Sequence, residues 1–457
     1  MKVLLISSNI ASTPYSVYPL GLSMVAASLH QAGHEVRQFD FLASGRSMET
    51  LLARVKEFSP QAIGISIRNI DNVNLLNEQR YIDAVSDIVQ GLKRVSPAKI
   101  ILGGSGFSIL PEAILRVTGA DFGIVGEGEK LFVDFLDNAA KDIYPSEKIL
   151  RSRSHLLDRQ IPSAFYDREI MNFYLQSGNV ASLQTKRGCI HSCAYCSYPV
   201  LEGRQLRPRR PELVVDDIRN LLDEHNAKYI FFTDSLFNDD EGHYLSVLKE
   251  MKKRRLTVPW TAFFKPQGLT KEIIFLMKET GLKAVEIGAD AACDITLRKM
   301  GKSFTFADIA ACNDLFAECG VATAHYFMFG CPGETQDTTL EGVRNILSLK
   351  KTVSFIFMGI RILPDTPLAK LAEKEKIISA GQDLLEPVYY LSPLLERQWL
   401  EETLTEAFRE VRHCVFPPDI LDNTLAFLHK LGYSGSLWEM LIPGGSRRNS
   451  RAGKAVK

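Results

Sequence analysis

The chain has 457 residues, which is long for a single domain, so we expect two or three domains. Lysines and arginines number 54, as do aspartates and glutamates, so the formal net charge is +0 and no global basic field attracts nucleic acid. No apolar run reaches the length of a membrane span, and the N-terminus lacks a signal-peptide layout. Five of the 8 cysteines are scattered, which does not make a disulfide framework, so we expect a cytoplasmic protein.

Up to about residue 140, short β-branched runs alternate with helical patterns. This alternation predicts a parallel sheet covered on both faces, with a flavodoxin-like or Rossmann-like strand order. Ligands of such sheets lie at the carboxyl ends of the strands. Loops rich in Gly and Ser follow three of the runs, and no G-x-G-x-x-G follows the first one, so a dinucleotide is disfavoured. Each loop alone fits a helix-entry turn, but three loops at one edge favour a polar ligand. The predicted strands are Lys2–Ser7, Glu35–Asp40, Ala62–Ser66, Lys99–Leu102 and Phe122–Val125.

The chain then divides into four further segments. Residues 141–180 have the composition of a linker, and residues 181–375 show six strand-helix units, which predict a partial (β/α)6 barrel. Residues 376–445 have a helical pattern, with helices expected at Leu394–Val411 and Ile420–Leu431. Residues 446–457 are polar and basic, so we expect a disordered tail, the alternative being a polybasic contact with membrane or nucleic acid. The barrel strands are predicted at Ser182–Thr185, Tyr229–Thr233, Thr261–Phe264, Ala284–Ile287, Thr323–Phe329 and Phe355–Ile362.

The stretch Lys186–Pro199 places three cysteines in the pattern C-x3-C-x2-C: Cys189, Cys193 and Cys196. A structural zinc site needs four ligands, and the sequence has no second C-x-x-C. Three thiolates on a four-iron cube leave one iron free for a substrate or cofactor. The alternative is three small buried residues on one helix face. The basic, turn-like flanks disfavour a core helix, so the spacing predicts a reactive cluster.

This motif, with Tyr195 before its last cysteine, resembles the signature of the radical S-adenosylmethionine (SAM) superfamily. Further resemblances lie at later strand ends: Thr233-Asp-Ser235, Val285-Glu-Ile-Gly-Ala-Asp290, Phe329-Gly-Cys-Pro-Gly-Glu-Thr335 and Gly359-Ile-Arg-Ile-Leu-Pro364. The resemblance implies that Cys189, Cys193 and Cys196 hold a [4Fe–4S] cluster whose free iron is chelated by SAM. It also implies a set of SAM contacts: Tyr195, Thr233, Asp234, Ser235, Glu286, Gly288, Asp290, Gly330 and Arg361.

The N-terminal part resembles the cobalamin-binding domain of one branch of this superfamily, through Pro19-Leu-Gly21, Gly33-His-Glu-Val36 and the Gly-rich loops. Many such domains carry a His that ligates cobalt from below, but residues 7–21 contain no His, and we interpret His30 as a surface or packing residue. Arg68 and Asn69 are candidates to lie under the cobalt instead, or to form a salt bridge or loop hydrogen bonds. The implied cobalamin contacts are Pro19, Gly21, Ser66, Arg68, Asn69, Gly103, Gly104, Ser105, Gly106, Gly126, Glu127 and Gly128.

The resemblance implies an enzyme that forms a 5′-deoxyadenosyl radical and most readily C-methylates a small molecule, with a flavodoxin or ferredoxin as electron donor. Radical cyclisation or rearrangement without methyl transfer stays open, as does a cobalamin-binding protein without catalysis. A methylthiotransferase is disfavoured because residues 1–188 contain no cysteine for a second cluster. Cys331 is a candidate hydrogen donor, although we favour a small buried strand residue.

Overall fold

The computed structural model describes residues 1–13, 16–152 and 154–442. Its N-terminal domain is a six-stranded parallel sheet in the order β2-β1-β3-β4-β5-β6, which confirms the flavodoxin-like expectation. The strands are β1 (Lys2–Ser7), β2 (Glu35–Asp40), β3 (Ala62–Ser66), β4 (Lys99–Gly103), β5 (Phe122–Val125) and β6 (Ile149–Arg151). The helices are α1 (Leu20–Gln31), α2 (Met48–Phe58), α3 (Ile82–Val95), α4 (Ser105–Ile109), α5 (Pro111–Thr118) and α6 (Gly128–Ala139).

Both faces of this sheet are covered, which explains the continuous apolar strands. In β1, Leu4 and Ile6 pack into one core while Val3 and Leu5 pack into the core on the other face. The strand β6 corrects the sequence analysis, which assigned its residues to a linker. Its three residues carry too little pattern to be recognised, and it is held by its parallel pairing with β5.

The second domain is a seven-stranded parallel sheet in the order β17-β14-β13-β12-β11-β10-β7. Its strands are β7 (Ala181–Leu183), β10 (Ile230–Phe232), β11 (Trp260–Phe264), β12 (Ala284–Asp290), β13 (Ala322–Phe329), β14 (Thr352–Met358) and β17 (Cys414–Val415), with the short strands β8 (Lys186–Arg187), β9 (Arg207–Pro208), β15 (Ile360–Arg361) and β16 (Tyr389–Tyr390). Its helices are α7 (Arg168–Gly178), α8 (Tyr198–Leu201), α9 (Pro211–Asp223), α10 (His243–Lys253), α11 (Lys271–Glu279), α12 (Asp294–Lys299), α13 (Phe306–Glu318), α14 (Gln336–Ser348) and α15 (Pro367–Lys374).

The six predicted barrel strands are all present, with shifted ends. Alternate residues divide between two environments: Val285 and Ile287 of β12 pack toward the helices, while Ala284 packs into the barrel lumen. The sheet edge is extended by β17, which pairs with β14. No helix in the described ranges is long and apolar enough to cross a membrane.

The C-terminal region is helical, as expected, with α16 (Arg397–Phe408) and α17 (Asp422–Lys430). It also supplies β17 and a 3-10 turn, Trp438–Leu441. Trp438 is buried against Ala324 and Val353, so this turn closes the lumen near the beginnings of β13 and β14. The basic tail, residues 446–457, lies outside the described residues.

The two domains are tied together by ion pairs. Arg361 of β15 donates from Nε to Asp71 Oδ2 of the N-terminal domain at 2.8 Å, and both side chains are almost fully buried. Arg361 also donates to the carbonyls of Ile362 and Leu384. The more exposed Arg116–Asp383 pair joins the same two parts of the chain. Arg361, an expected SAM contact, therefore also joins the two domains through its buried guanidinium.

We predict that Arg361→Met lowers the free energy of unfolding by about 3–5 kcal/mol, because it leaves Asp71 buried without its cation. Urea denaturation followed by circular dichroism measures the change. The exposed-pair control, Arg116→Met, is expected to cost less than about 1 kcal/mol. Replacing both buried partners, Arg361→Met with Asp71→Leu, is expected to recover most of the loss. If both single variants lowered the free energy of unfolding by the same small amount, the Arg361–Asp71 pair would not hold the domains together.

Candidate functional site

The cysteine loop is anchored at its start by Asp234, which follows β10. Its carboxylate is buried and accepts hydrogen bonds from Thr185 N at 2.7 Å, Thr185 Oγ1 at 2.6 Å and Lys186 Nζ at 2.9 Å. Lys186 lies 3.3 Å from Asp239 as well. Because the buried Asp234 carboxylate accepts hydrogen bonds from Thr185 and Lys186, it fixes the backbone where the chain enters the cysteine loop. Asp234, an expected SAM contact, therefore lies at the base of the cysteine loop.

The loop turns sharply at Gly188, whose φ is +88°. A Cβ at this position would lie 2.0 Å from Gln205 O, so only glycine fits. Gly188 N donates to Glu202 Oε2 at 3.0 Å, and Cys189 N donates to Gly203 O at 3.1 Å. The first cysteine is thus fixed against the chain that follows α8.

The three thiols are free and partly exposed. The pKa of Cys196 is raised to about 12, chiefly by burial, while a backbone hydrogen bond from Tyr198 lowers it. The charges of Cys193 and Cys189 contribute to the rise, so the thiols lie within electrostatic reach of one another. In the described part of the chain, no His, Cys, Asp and Glu side chains are grouped closely enough to hold one metal ion. A cubane cluster instead takes one thiolate on each of three irons. The donor set of three thiols on one loop fits a [4Fe–4S] cluster.

A cation and a carboxylate flank these thiols. Lys302 Nζ lies 3.3 Å from Cys193 Sγ and forms a short ion pair with Asp290 at the end of β12. Tyr195 donates its hydroxyl to the same carboxylate at 2.7 Å. Burial disfavours the ammonium, but Asp290 and Cys193 hold the pKa of Lys302 above its ordinary value. Tyr195 and Asp290, both expected near SAM, are therefore beside the cysteines, and Lys302 joins them.

The remaining expected SAM residues are divided between the loop and the barrel. Ser235 Oγ donates to Gly188 O at 3.1 Å, and Thr233 Oγ1 donates to Leu183 O at 3.3 Å, so both brace the loop. Gly330 N donates to Glu334 Oε2 at 2.8 Å in the turn after β13. Cys331 is fully buried and donates to Met328 O at 3.2 Å, the environment of a packing residue.

Glu286 is the third residue of β12. It is 2 % exposed within the lumen and accepts hydrogen bonds from Tyr326 and Trp438. Both carboxylate oxygens of this expected SAM contact therefore have partners inside the barrel. Gly288, two residues further along β12, lies nearer the mouth, and a Cβ there would have no neighbour closer than Asp290 Oδ1 at 4.0 Å.

On the N-terminal domain, the loop after β4 is bonded to the loop after β3. Gly104 has a φ of +93°, and a Cβ there would lie 2.5 Å from Ile67 O. Ser105 Oγ donates to Arg68 O at 2.8 Å, and Gly106 N donates to Ile67 O at 2.8 Å. The backbone carrying Arg68 is thus rigidly placed. The Arg68 side chain is exposed, and within the described ranges no hydrogen-bond partner of its guanidinium is found.

Other expected cobalamin contacts surround an open space at the same sheet edge. Gly126, with a φ of +81°, has nothing within 4 Å of a built Cβ, and the same is true of Gly21 at the start of α1. Pro19 is the residue before α1, Gly128 begins α6, and Gly103 ends β4. The carbonyl of Ser66 accepts from Ser8. This Cβ-free edge is a cradle that fits a large planar cofactor.

A cavity of about 430 Å³ continues this edge into the gap between the domains. Ser108 and Gly126 line it on one side, and Val200 and Leu201 of α8 line it on the other. The cradle and the chain just after the cysteine loop therefore share one space. His30 lies apart from it, at the end of α1, and stacks on Phe165 with ring centroids 5.2 Å apart.

Glu127 lies beside two arginines of the second domain. It accepts hydrogen bonds from Arg187 at 2.8 Å, from Arg207 at 2.6 Å and from Leu156 N at 2.7 Å. Burial opposes ionisation, but the two guanidinium groups hold the pKa of Glu127 below its ordinary value. Glu127, an expected cobalamin contact, therefore forms an interdomain ion pair. Arg187, which precedes Cys189 by two residues, was not identified from the sequence.

Comparison with known proteins agrees with this geometry. The B12 binding domain model matches residues 6–136, and the Radical SAM superfamily model matches residues 183–346. The chain is a radical SAM protein with a B12-binding domain. The matched domains agree with the cofactors expected from the sequence, namely cobalamin, SAM and a [4Fe–4S] cluster.

Relatives of this radical SAM protein include methyltransferases. It is 26% identical over 452 residues to tryptophan 2-C-methyltransferase of Streptomyces laurentii, covering 81% of this chain and 74% of that protein. It is 24% identical to cytidylyl-2-hydroxyethylphosphonate methyltransferase of Streptomyces wedmorensis, covering 66% and 67%. The structure of the methyltransferase TsrM from Kitasatospora setae, with cobalamin and a [4Fe–4S] cluster bound, superposes with a TM-score of 0.85 at 23% identity, covering 96% and 97%. This likeness shows a shared fold over both domains.

We predict that Cys189→Ala, Cys193→Ala and Cys196→Ala each prevent assembly of a stable four-iron cluster, because each removes the thiolate from one iron. Iron content and charge-transfer absorbance after anaerobic reconstitution measure this. The matched control is Cys319→Ala, a buried cysteine of the helix layer, which is expected to load iron normally. Normal iron loading of any of the three loop variants would refute the assignment.

We predict that Gly104→Ala weakens cobalamin binding at least tenfold, since the new methyl group would push the backbone beside Arg68. Gly45→Ala is the control, because Gly45 also has a positive φ of +71° but nothing within 4 Å of its Cβ. Both variants place an alanine at a positive φ, so backbone strain is common to them, whereas only Gly104→Ala brings a methyl group against Ile67. Anaerobic spectrophotometric titration with cobalamin provides the affinities, and equal affinities would exclude a cradle at Gly104.

Proposed function

We propose that this protein is a cobalamin-dependent radical SAM methyltransferase that adds a methyl group to a carbon of a small-molecule substrate. The observation that carries the proposal is the buried contact between the two cofactor domains. Arg187 of the cysteine loop donates to Glu127 at 2.8 Å and to Glu129 at 2.5 Å. Glu127 immediately precedes α6 and Glu129 lies in its first turn, beside the cobalamin cradle. This contact makes the cradle and the cysteine loop face one gap.

When bound, the cluster with SAM supplies a radical initiator, and cobalamin supplies a methyl carrier. The chain positions them. Cys189, Cys193 and Cys196 hold the cluster at the barrel mouth, and Lys302 places a positive charge beside Cys193 Sγ. Arg68 and Asn69 occupy the loop that faces the gap, where Arg68 acts electrostatically on Tyr198 just after the last cysteine. We propose that these two side chains lie at the lower face of the cobalamin, in place of a histidine.

A one-electron donor such as flavodoxin or ferredoxin and a cytoplasmic location complete the proposal. Both suit an oxygen-sensitive cluster that must be reduced before each radical is formed. The methyltransferase names of relatives matched over most of this chain support the choice of methyl transfer.

Cyclisation is the second candidate, because relatives also include the anaerobic magnesium-protoporphyrin IX monomethyl ester cyclase of Cereibacter sphaeroides, at 24% identity over 350 residues. A putative methylthiotransferase of Methanocaldococcus jannaschii is a further relative, at 24% identity. For that activity the chain lacks a second cysteine set, since residues 1–188 contain none.

We predict that the reconstituted enzyme, given methyl-labelled SAM and a strong reductant, transfers the label first to protein-bound cobalamin. This half-reaction needs no substrate, so it can be measured by chromatography of the extracted corrinoid. Gly104→Ala is expected to lose most of the labelled corrinoid, and Gly45→Ala is expected to retain it. Cobalamin that binds fully yet never acquires label would contradict methyl transfer and favour cyclisation.

A further inference from the structure

A buried lysine lies against the cysteine loop. Lys302 follows α12, and its side chain is only 8% exposed although it ends in an ammonium group. Its Nζ lies 3.3 Å from the Sγ of Cys193, the second of the three loop thiols. Lysine is rarely buried unless its charge is paired, so this position calls for an explanation.

The backbone fixes the turn that carries this lysine. Ala194 N, in the cysteine loop, donates to Met300 O at 2.9 Å, so the end of α12 is bonded to the loop. Gly301, with a φ of +73°, packs so closely that a Cβ there would lie 2.5 Å from Ser192 O. Only glycine allows this approach of the two backbones. The turn leading into Lys302 is therefore held against the cysteine loop.

The surroundings of the ammonium keep it charged. Asp290, at the end of β12, forms a short ion pair with Lys302. Tyr195 donates its hydroxyl to the same carboxylate at 2.7 Å, which fixes the carboxylate in place. The ring centroids of Tyr195 and Phe304 lie 5.9 Å and 5.6 Å from Nζ, within the range of a cation–π interaction. A positive charge is thus maintained where little water reaches it.

A fixed charge at this distance changes the energy of a cluster on the loop. Cys193 binds iron as a thiolate, and hydrogen bonds to the sulfurs are among the features that set the reduction potential of an iron–sulfur cluster. Reduction adds a negative charge, so a neighbouring cation stabilises the reduced form and raises the potential. The side chains of Lys302 and Asp290 are both buried, so water and salt screen this effect less than they would at the surface.

We propose that Lys302 raises the reduction potential of the [4Fe–4S] cluster through Cys193, and that Asp290 limits this rise. Lys302 is then a positioning residue, because it acts on the cluster through a thiolate ligand. The proposal rests on the cluster of the proposed function but not on methyl transfer. Its consequence is that the one-electron donor can be a weaker reductant than the cluster would otherwise require.

The test is a potentiometric titration of the reconstituted enzyme without SAM or substrate, followed through the electron paramagnetic resonance signal of the reduced cluster. We expect Lys302→Met to make reduction at least tenfold less favourable, which lowers the potential by at least 59 mV for a one-electron couple. Lys302→Arg keeps the charge and is expected to retain most of the wild-type potential. Asp290→Asn is expected to shift the potential upward, because it removes the counter-charge of the cation.

The matched control is Lys299→Met, which removes an exposed ammonium from the end of α12, three residues away in the chain. Because water screens that charge, the reduction equilibrium is expected to change less than twofold. The iron content of each variant establishes that it carries a complete cluster. If Lys302→Met loads too little iron, Lys302→Gln makes the same change with a polar side chain, and Asp290→Asn tests the sign independently.

An unchanged potential in fully loaded Lys302→Met or Lys302→Gln would overturn the proposal. Shifts of Lys302→Met and Asp290→Asn in the same direction would also overturn it, since general disruption of the loop would explain them. If Lys302 served only to bind SAM, equilibrium dialysis would show weaker SAM binding in these variants while the SAM-free potential stayed the same, and the proposal would fail. An enzyme that never transfers a methyl group still has a measurable potential, so failure of the proposed function is distinguishable.

Discussion

The architecture depends on burying charge between two domains that could each form a core alone. Arg187 is in the cysteine loop, yet its guanidinium is buried between Glu127 and Glu129 of the other domain. Such a charge is tolerated only when its partners are in place, because an unpaired buried ion costs several kcal/mol, on the order of 3–5. The domain arrangement and the loop conformation are therefore linked. If either changed, the Arg187 guanidinium would become exposed to solvent or would lose its carboxylate partners.

The same principle recurs at the other side of the gap. Arg361 joins the barrel to Asp71, and Asp71 follows Arg68 by three residues on the loop after β3. One buried pair thus positions the cysteine loop, and another positions the loop that we place under cobalamin. Flexible linkers alone would not fix the distance between two cofactors. Rigid, desolvated ion pairs with fixed hydrogen-bond geometry can.

Features encoded by local pattern could be predicted from the sequence. The strands of the N-terminal sheet, the barrel strands and the C-x3-C-x2-C loop each depend on residues close together in the chain. The side-chain roles were less predictable because their partners are distant. Asp234 is bound to Thr185, 49 residues away, Glu286 to Trp438, 152 residues away, and Arg361 to Asp71, 290 residues away. Motif position predicts that these residues lie near the ends of strands, but it does not identify the distant partner of each polar group.

The most direct measurement of the central claim is magnetic coupling between the two cofactors. We expect the electron paramagnetic resonance signal of cob(II)alamin in the reconstituted enzyme to broaden and relax faster when the [4Fe–4S] cluster is reduced. Cys196→Ala, which should bind cobalamin without a cluster, is expected to show the unperturbed cobalt signal under the same reductant. A cobalt signal that is identical with and without the reduced cluster would contradict two cofactors facing one gap.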